Sequence, residues 1–263
     1  MRLLMCRPDH YGIAYEINPW MSKSRQSDWS QAQQQWSALR QIVEHRLSVN
    51  VDVVEPAADL PDMVFTANAG LVWRQKFIAA NFRHKVRRGE VLYFIEWFRR
   101  NGFEIVNLPE NCFFEGEGDL LRCGEIVFAG YHIRSDILAH QRVADIIESE
   151  VLSLELTDEW FYHLDTCFCP LGSGRALYYP AAFDRYAREV LQSQVAELIA
   201  VGTEDAKRFA CNAIVTESAV VINHGCSEAR EKLQSLGFTV YETPLDEFIK
   251  AGGSAKCMAL TIG

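Results

Sequence analysis

Apolar residues at helical spacing alternate along the chain with short apolar runs typical of strands. Between Asp28 and Arg46, Trp29, Trp36, Leu39 and Val43 recur on one helical face, with Ser27 available as the cap. Val51-Asp52-Val53-Val54 follows as a short strand that stops before Pro56. The same order returns after Val91–Arg100 (strand Phe103–Val106), Ile137–Glu148 (strand around Leu152–Leu156), Tyr186–Val195 (strand Leu198–Val201) and Glu228–Leu236 (strand Phe238–Tyr241). Paired apolar segments lie between these units, for example Gly70–Trp73 with Phe77–Ala80 and Ala213–Val215 with Ala219–Ile222. A further strand is expected at Arg2–Met5, followed by a loop through Pro8 and then Ile17-Asn18-Pro19-Trp20.

Helix-then-strand units at roughly 40 to 50 residue spacing predict a repeat architecture. Asn101-Gly102-Phe103-Glu104-Ile105-Val106-Asn107-Leu108-Pro109 echoes Leu236-Gly237-Phe238-Thr239-Val240-Tyr241-Glu242-Thr243-Pro244, which supports it. A doubly wound open sheet also alternates strands and helices. Against that arrangement, no GxGxxG follows a strand, and Gly172-Ser173-Gly174 alone is weak evidence of a nucleotide site. With no low-complexity linker to mark a boundary, the expectation is one closed, five-bladed α/β domain over residues 1–263.

The composition, 49% hydrophobic and 23% charged, is that of a globular protein. A net charge of -9 argues against nucleic acid or an anionic membrane as the main partner, and a cationic substrate would at least not be repelled. The apolar run at Met1–Cys6 is too short for a signal peptide, and no stretch approaches the length of a membrane helix, so the cytoplasm is the expected location. None of the eight cysteines forms a CxxC pair. His163, Cys167 and Cys169 lack a fourth ligand at suitable spacing, so neither a metal nor another cofactor is expected.

Gly252-Gly253-Ser254-Ala255-Lys256-Cys257 is the segment most suggestive of chemistry, because two glycines let the backbone turn tightly and bring one cysteine close to a ligand. A free cysteine is most often a small buried hydrophobe. Cys257 stands out through its glycine approach and the His163-Leu164-Asp165 run upstream, and is read as a nucleophile. On a strand, His163 and Asp165 would face one side while Leu164 packs behind them. Two further polar clusters end apolar runs, Asp62–Asn68 and Phe114–Asp119. Carboxylates, a histidine and a thiol together suit a cation with an electrophilic carbon.

In that order, PDMVFTANAG, FEGEGD, HLD and GGSAKC resemble the guanidine-modifying enzymes: arginine deiminases, dimethylarginine dimethylaminohydrolases and amidinotransferases. The resemblance covers nearly the whole chain and implies a five-bladed α/β propeller. With Ile17–Met21 included, it is closest to the arginine dihydrolases, which convert L-arginine to ornithine, carbon dioxide and ammonia. Their enzyme part can be fused to a C-terminal domain, so a chain stopping at Gly263 is expected to be a free-standing form. The rival activities are a deiminase that stops at citrulline, a dimethylarginine hydrolase and an amidinotransferase. Translation anti-association factors use a related fold only for binding, and would not need Cys257, His163 and acidic partners together.

The resemblance implies that Cys257 attacks the guanidinium carbon and that His163 is the general acid and base. Glu115 orients His163, with Glu117 as rival because this chain carries one residue more than the E-G-G-D of some members. Asp165 and Asn68 hold the guanidinium, Asn68 standing where several relatives carry Asp; its ordinary alternative is a turn residue. Arg87, with Arg83 as rival, and Arg134 are candidates for the substrate α-carboxylate. Asp62 contacts the α-amino group or caps a turn after Pro61. Asn18 is assigned to the neutral ureido intermediate, its alternative being an ordinary turn before Pro19. The oligomeric state is left open.

Overall fold

The computed structural model describes residues 1–263 and consists of five three-stranded sheets of one design. In the first, β1 (Arg2–Cys6) leads through α1 (Trp29–His45) to the parallel strand β2 (Asn50–Val54). Each of the next four opens with an antiparallel pair whose second strand leads through a helix to a parallel third. These are β3 (Gly70–Trp73), β4 (Lys76–Ala79), α2 (Glu90–Arg100) and β5 (Glu104–Val106), then β6 (Leu120–Cys123), β7 (Ile126–Tyr131), α3 (Ile137–Ile147) and β8 (Val151–Glu155). A one-turn helix, α4 (Leu164–Cys167), precedes β9 (Phe168–Gly172), β10 (Arg175–Tyr178), α5 (Arg185–Gln194) and β11 (Glu197–Ala200). After α6 (Thr203–Lys207) come β12 (Ile214–Val215), β13 (Ala219–Asn223), α7 (Ser227–Ser235) and β14 (Thr239–Thr243). Finally α8 (Asp246–Ile249) leads to β15 (Leu260–Thr261), which pairs antiparallel with β1 through Leu4 and Leu260 and completes the first sheet.

The two ends of the chain thus close the ring, leaving no gap between the fifth blade and the first. Residues of β3, β6, β9, β12 and β15 all line one cavity of about 730 Å³, which marks the propeller axis. The helices lie outside, with their apolar faces on the sheets. In the second blade, Phe77 of β4 stacks on Phe98 of α2 with ring centroids 3.8 Å apart, both fully buried. Each such ring contributes ~1.5–3 kcal/mol by burial. A cluster of 31 buried residues joins the third, fourth and fifth blades.

The helix-then-strand order read from the sequence therefore reappears in all five units, and the fold is a five-bladed α/β propeller. Two local expectations are corrected. Asp28, not Ser27, caps α1: its side chain accepts from the Gln31 N–H. His163–Asp165 is not a strand, since His163, in extended conformation, caps α4 and Asp165 lies in that helical turn. A strand running straight on from β9 would carry these residues along the axis. The helical turn instead gathers both into one buried cluster, held by the Leu164 N–H donating to Asp119 Oδ1 at 3.2 Å.

Candidate active site

The turn after α8 delivers Cys257 to the blade junction. Gly252 has φ +84, and a Cβ there would lie 2.7 Å from the Tyr162 hydroxyl, so only glycine fits. The Tyr162 hydroxyl donates to the Gly252 carbonyl at 2.7 Å. Beyond the turn, the Ala67 N–H donates to the Cys257 carbonyl at 3.0 Å, and Lys256 forms a 2.6 Å ion pair with Glu117. Cys257 is only 2% exposed. Its thiol donates to Asp165 Oδ2 at 3.3 Å and accepts from Asn212 Nδ2 at 3.1 Å.

Burial pushes the Cys257 thiol well above its usual range, and the Asp165 carboxylate adds to that shift. Burial also raises the Asp165 carboxyl to about 7, against the opposing charge of Lys256. Asp165 Oδ1 is buried without a hydrogen-bond partner. Asp165 thus holds the thiol back from ionising, while the thiol's hydrogen bond eases ionisation of Asp165 against burial; a cation seated between them would favour both charged forms.

His163 Nε2 bonds Glu115 Oε2 at 2.7 Å, and Arg134 donates to the same oxygen at 3.0 Å. Glu115 is fully buried; burial opposes its ionisation, but Arg134 and then His163 hold it well below the usual carboxylate range. Burial brings His163 down to about 4 despite Glu115, so its imidazole is neutral at pH 7. Because Glu115 holds Nε2, the nitrogen left to exchange a proton is Nδ1, which meets only Asn68 Nδ2 at 3.4 Å. Close contact explains one glycine of FEGEGD: a Cβ on Gly118 would sit 2.2 Å from Asn68 Nδ2. Glu117 engages Lys256 and the Thr261 N–H, so of the two glutamates only Glu115 contacts His163.

Asn68 lies in a short 3-10 turn, Thr66–Ala69, where its Oδ1 accepts from Arg87 at 2.9 Å while its amide nitrogen faces His163. Arg87 is buried, and Glu90 already holds two of its nitrogens at 2.9 and 2.8 Å. Arg83, the alternative, pairs outward with Asp136 and is partly exposed. Asp62 is buried, with Oδ2 3.7 Å from Arg87 Nε and Oδ1 lacking any partner; burial raises its pKa against the pull of Arg87. Arg134 lines a half-open chamber of about 610 Å³ together with Asn18, His84 and Tyr162. Its second terminal nitrogen donates to the Ile17 carbonyl, and its guanidinium lies 4.3 Å from the Tyr162 ring centroid. Both polar ends of Asn18 are engaged: Nδ2 donates to the Ala251 carbonyl at 3.0 Å, and Oδ1 accepts from the Trp20 and Met21 N–H groups. The Asn18 side chain therefore ties its own loop to the turn that carries Cys257.

Sequence reading missed Asn212, fully buried just before β12, which touches both Cys257 and Asp165. Nothing in Cys211-Asn212-Ala213 flags it except a polar residue inside an apolar run. Tyr162 was also missed, although it adjoins His163. No group of three or more His, Cys, Asp or Glu side chains is placed to hold a metal ion, and no helix is long and apolar enough to cross a membrane.

The family model described as "N,N dimethylarginine dimethylhydrolase, eukaryotic" matches residues 14–262. The bifunctional arginine dihydrolase/ornithine cyclodeaminase AgrE of Nostoc is 48% identical over all of this chain, which spans 38% of its length. The N(G),N(G)-dimethylarginine dimethylaminohydrolase of Mycobacterium tuberculosis is 39% identical over 99% of this chain and 85% of its own. Among solved structures, the product-bound N-terminal domain of ArgZ, an arginine dihydrolase from cyanobacteria, superposes with a TM-score of 0.95 at 47% identity, covering 98% of this chain and 96% of that one. With a family model matched over nearly the whole chain on a five-bladed propeller, the protein belongs to the dimethylarginine dimethylaminohydrolase family of the guanidine-modifying superfamily.

Proposed function

We propose that residues 1–263 form one guanidine-modifying domain that hydrolyses L-arginine, a small-molecule substrate, through a covalent Cys257 thiouronium and continues to ornithine, carbon dioxide and ammonia in the cytoplasm. The observation that carries this reading is a buried thiol against Asp165, whose second carboxylate oxygen has no partner, beside a neutral histidine backed by Glu115. Asp165 Oδ1 accepts from the guanidinium, whose charge favours the thiolate. The sulfur forms a bond to the guanidinium carbon, and one C–N bond breaks. The proton lost by the thiol passes through His163 Nδ1 to the departing nitrogen, so thiol plus guanidinium cation gives thiouronium cation plus ammonia. Glu115 stabilises the imidazolium formed on the way.

Water then adds to the thiouronium carbon and the C–S bond breaks, leaving citrulline, the regenerated thiol and a proton. In a second round the thiol displaces ammonia from the ureido carbon. Hydrolysis of that thiocarbamate gives a carbamic acid, which falls apart to ornithine and carbon dioxide. At the far end of the substrate, Asp62 Oδ1 receives the α-ammonium. Arg134 turns from the Ile17 carbonyl to the α-carboxylate, with Arg87 behind it fixing Asn68.

The family match favours a second reading, a methylated arginine as substrate. Incubation with L-arginine, without metal or nucleotide, and quantification of ornithine, citrulline and ammonia tests both. Ornithine with two ammonia per arginine is expected; citrulline with one makes the protein a deiminase. Inertness to arginine with turnover of dimethylarginine overturns the first reading in favour of the second.

A further inference from the structure

We propose that Asn212 is a catalytic residue, which donates from its side-chain amide to the Cys257 sulfur and holds that sulfur as an anion before attack and each time the C–S bond breaks. Two side chains contact the sulfur through polar atoms. Asp165 Oδ2, at 3.3 Å, is an acceptor and repels a negative sulfur. Asn212 Nδ2, at 3.1 Å, is a donor and attracts one. When the thiol gives up its proton its bond to Asp165 is lost, whereas the bond from Asn212 strengthens, because a hydrogen bond to a charged partner is about twice as strong as a neutral one.

The orientation of this amide is fixed by its other contacts. Asn212 Oδ1 accepts from the Cys257 N–H at 3.0 Å, and the second Nδ2 hydrogen goes to the Asp165 carbonyl at 3.0 Å. Turning the amide over would set donor against donor at the first contact and acceptor against acceptor at the second. The Lys256 N–H also donates to the Asn212 carbonyl at 3.3 Å, so Asn212 binds two successive residues of the nucleophile turn. Asn212 is fully buried, where an oriented donor needs no rearrangement as charge develops. The Ser254 backbone and then the Asn212 side chain lower the thiol pKa by hydrogen bonding, against the upward push of burial and Asp165.

The kinetic part of this proposal rests on the hydrolase reading above; the thiol chemistry does not. The test is the pH dependence of Cys257 alkylation by iodoacetamide, followed on the Cys257 peptide by mass spectrometry, in the wild type, Asn212→Asp and Asn212→Ala. Asn212→Asp keeps an acceptor for the Cys257 N–H and removes the amide hydrogens that go to the sulfur and to the Asp165 carbonyl, so it serves where Asn212→Ala loses its fold. The alkylation midpoint is expected to rise by at least about one pH unit, and kcat for arginine to fall about 10- to 100-fold with KM changed less than about threefold. A purely structural Asn212 would change thermal stability and leave the midpoint of folded Asn212→Ala in place; because the new carboxylate of Asn212→Asp would itself raise the thiol, a midpoint within about 0.3 of wild type in either folded variant overturns the proposal. If the midpoint shifts while wild-type protein leaves arginine untouched, the role of Asn212 stands and the substrate reading falls.

Discussion

Replacing Glu115 by glutamine tests the site's electrostatics with almost no change of shape. Oε2 accepts from His163 and Arg134 at 2.7 and 3.0 Å, and Oε1 accepts from the Arg83 N–H at 3.3 Å. Glutamine has one carbonyl oxygen, so whichever way the amide turns, its NH2 group faces a donor on one side. Arg134, 2% exposed, also loses its counter-charge and keeps only the Ile17 carbonyl and the Tyr162 ring. Removing one member of a buried ion pair costs ~3–5 kcal/mol. The contacts that remain to Arg134 favour the lower end, and urea unfolding should show a loss of ~3 kcal/mol at unchanged m-value. Activity should fall further than stability suggests. His163 already lies near 4, and Glu115 is what raises it, so the variant's imidazolium becomes still less accessible. A loss of ~10²–10⁴ in kcat is expected for an impaired general acid and base. A glutamine variant that loses under ~1 kcal/mol and turns over within about threefold of wild type would refute the reasoning.

Cys257→Ser should fold normally, abolish turnover and show no substrate adduct by intact-protein mass spectrometry; an active folded variant removes the nucleophile assignment. Because Asp165 is raised to about 7 and must ionise to hold a guanidinium, binding releases a proton, so KM should fall as pH rises from about 6 to 8 and level off above. A KM flat across that range would show that Asp165 is not the anchor. Asn18→Asp places a carboxylate against the Ala251 carbonyl and loosens the loop over the site, which should raise the share of citrulline released before the second hydrolysis; an unchanged ratio of citrulline to ornithine places that control elsewhere.

The five helix-and-strand units were legible because each helix must bury one face and each strand runs as a short apolar stretch, and both periods are written in consecutive residues. The cysteine turn was legible through Gly252, where a positive φ and the close approach of the Tyr162 hydroxyl together favour glycine. The glutamate ambiguity was not. Glu115 and Glu117 are two residues apart in a glycine-rich turn, and only the packed structure sends one to His163 and the other to Lys256. Asn212 was invisible for a related reason: it lies 45 residues before Cys257, and no local pattern distinguishes a buried amide that clamps a sulfur from one that closes a turn.

The sequence alone determined the number of blades, their order and the residue types gathered at their inner ends, since these follow from local hydrophobic periodicity and backbone preference. The tertiary structure decided which groups pair. It set Asp165 against the thiol, bound His163 to Glu115 rather than Glu117, closed the fork of Arg87 on Glu90 and left Arg134 at the chamber wall. Those choices depend on burial and on distances between residues far apart in the chain. Once water is excluded, a few tenths of an ångström and one missing partner determine which proton can move.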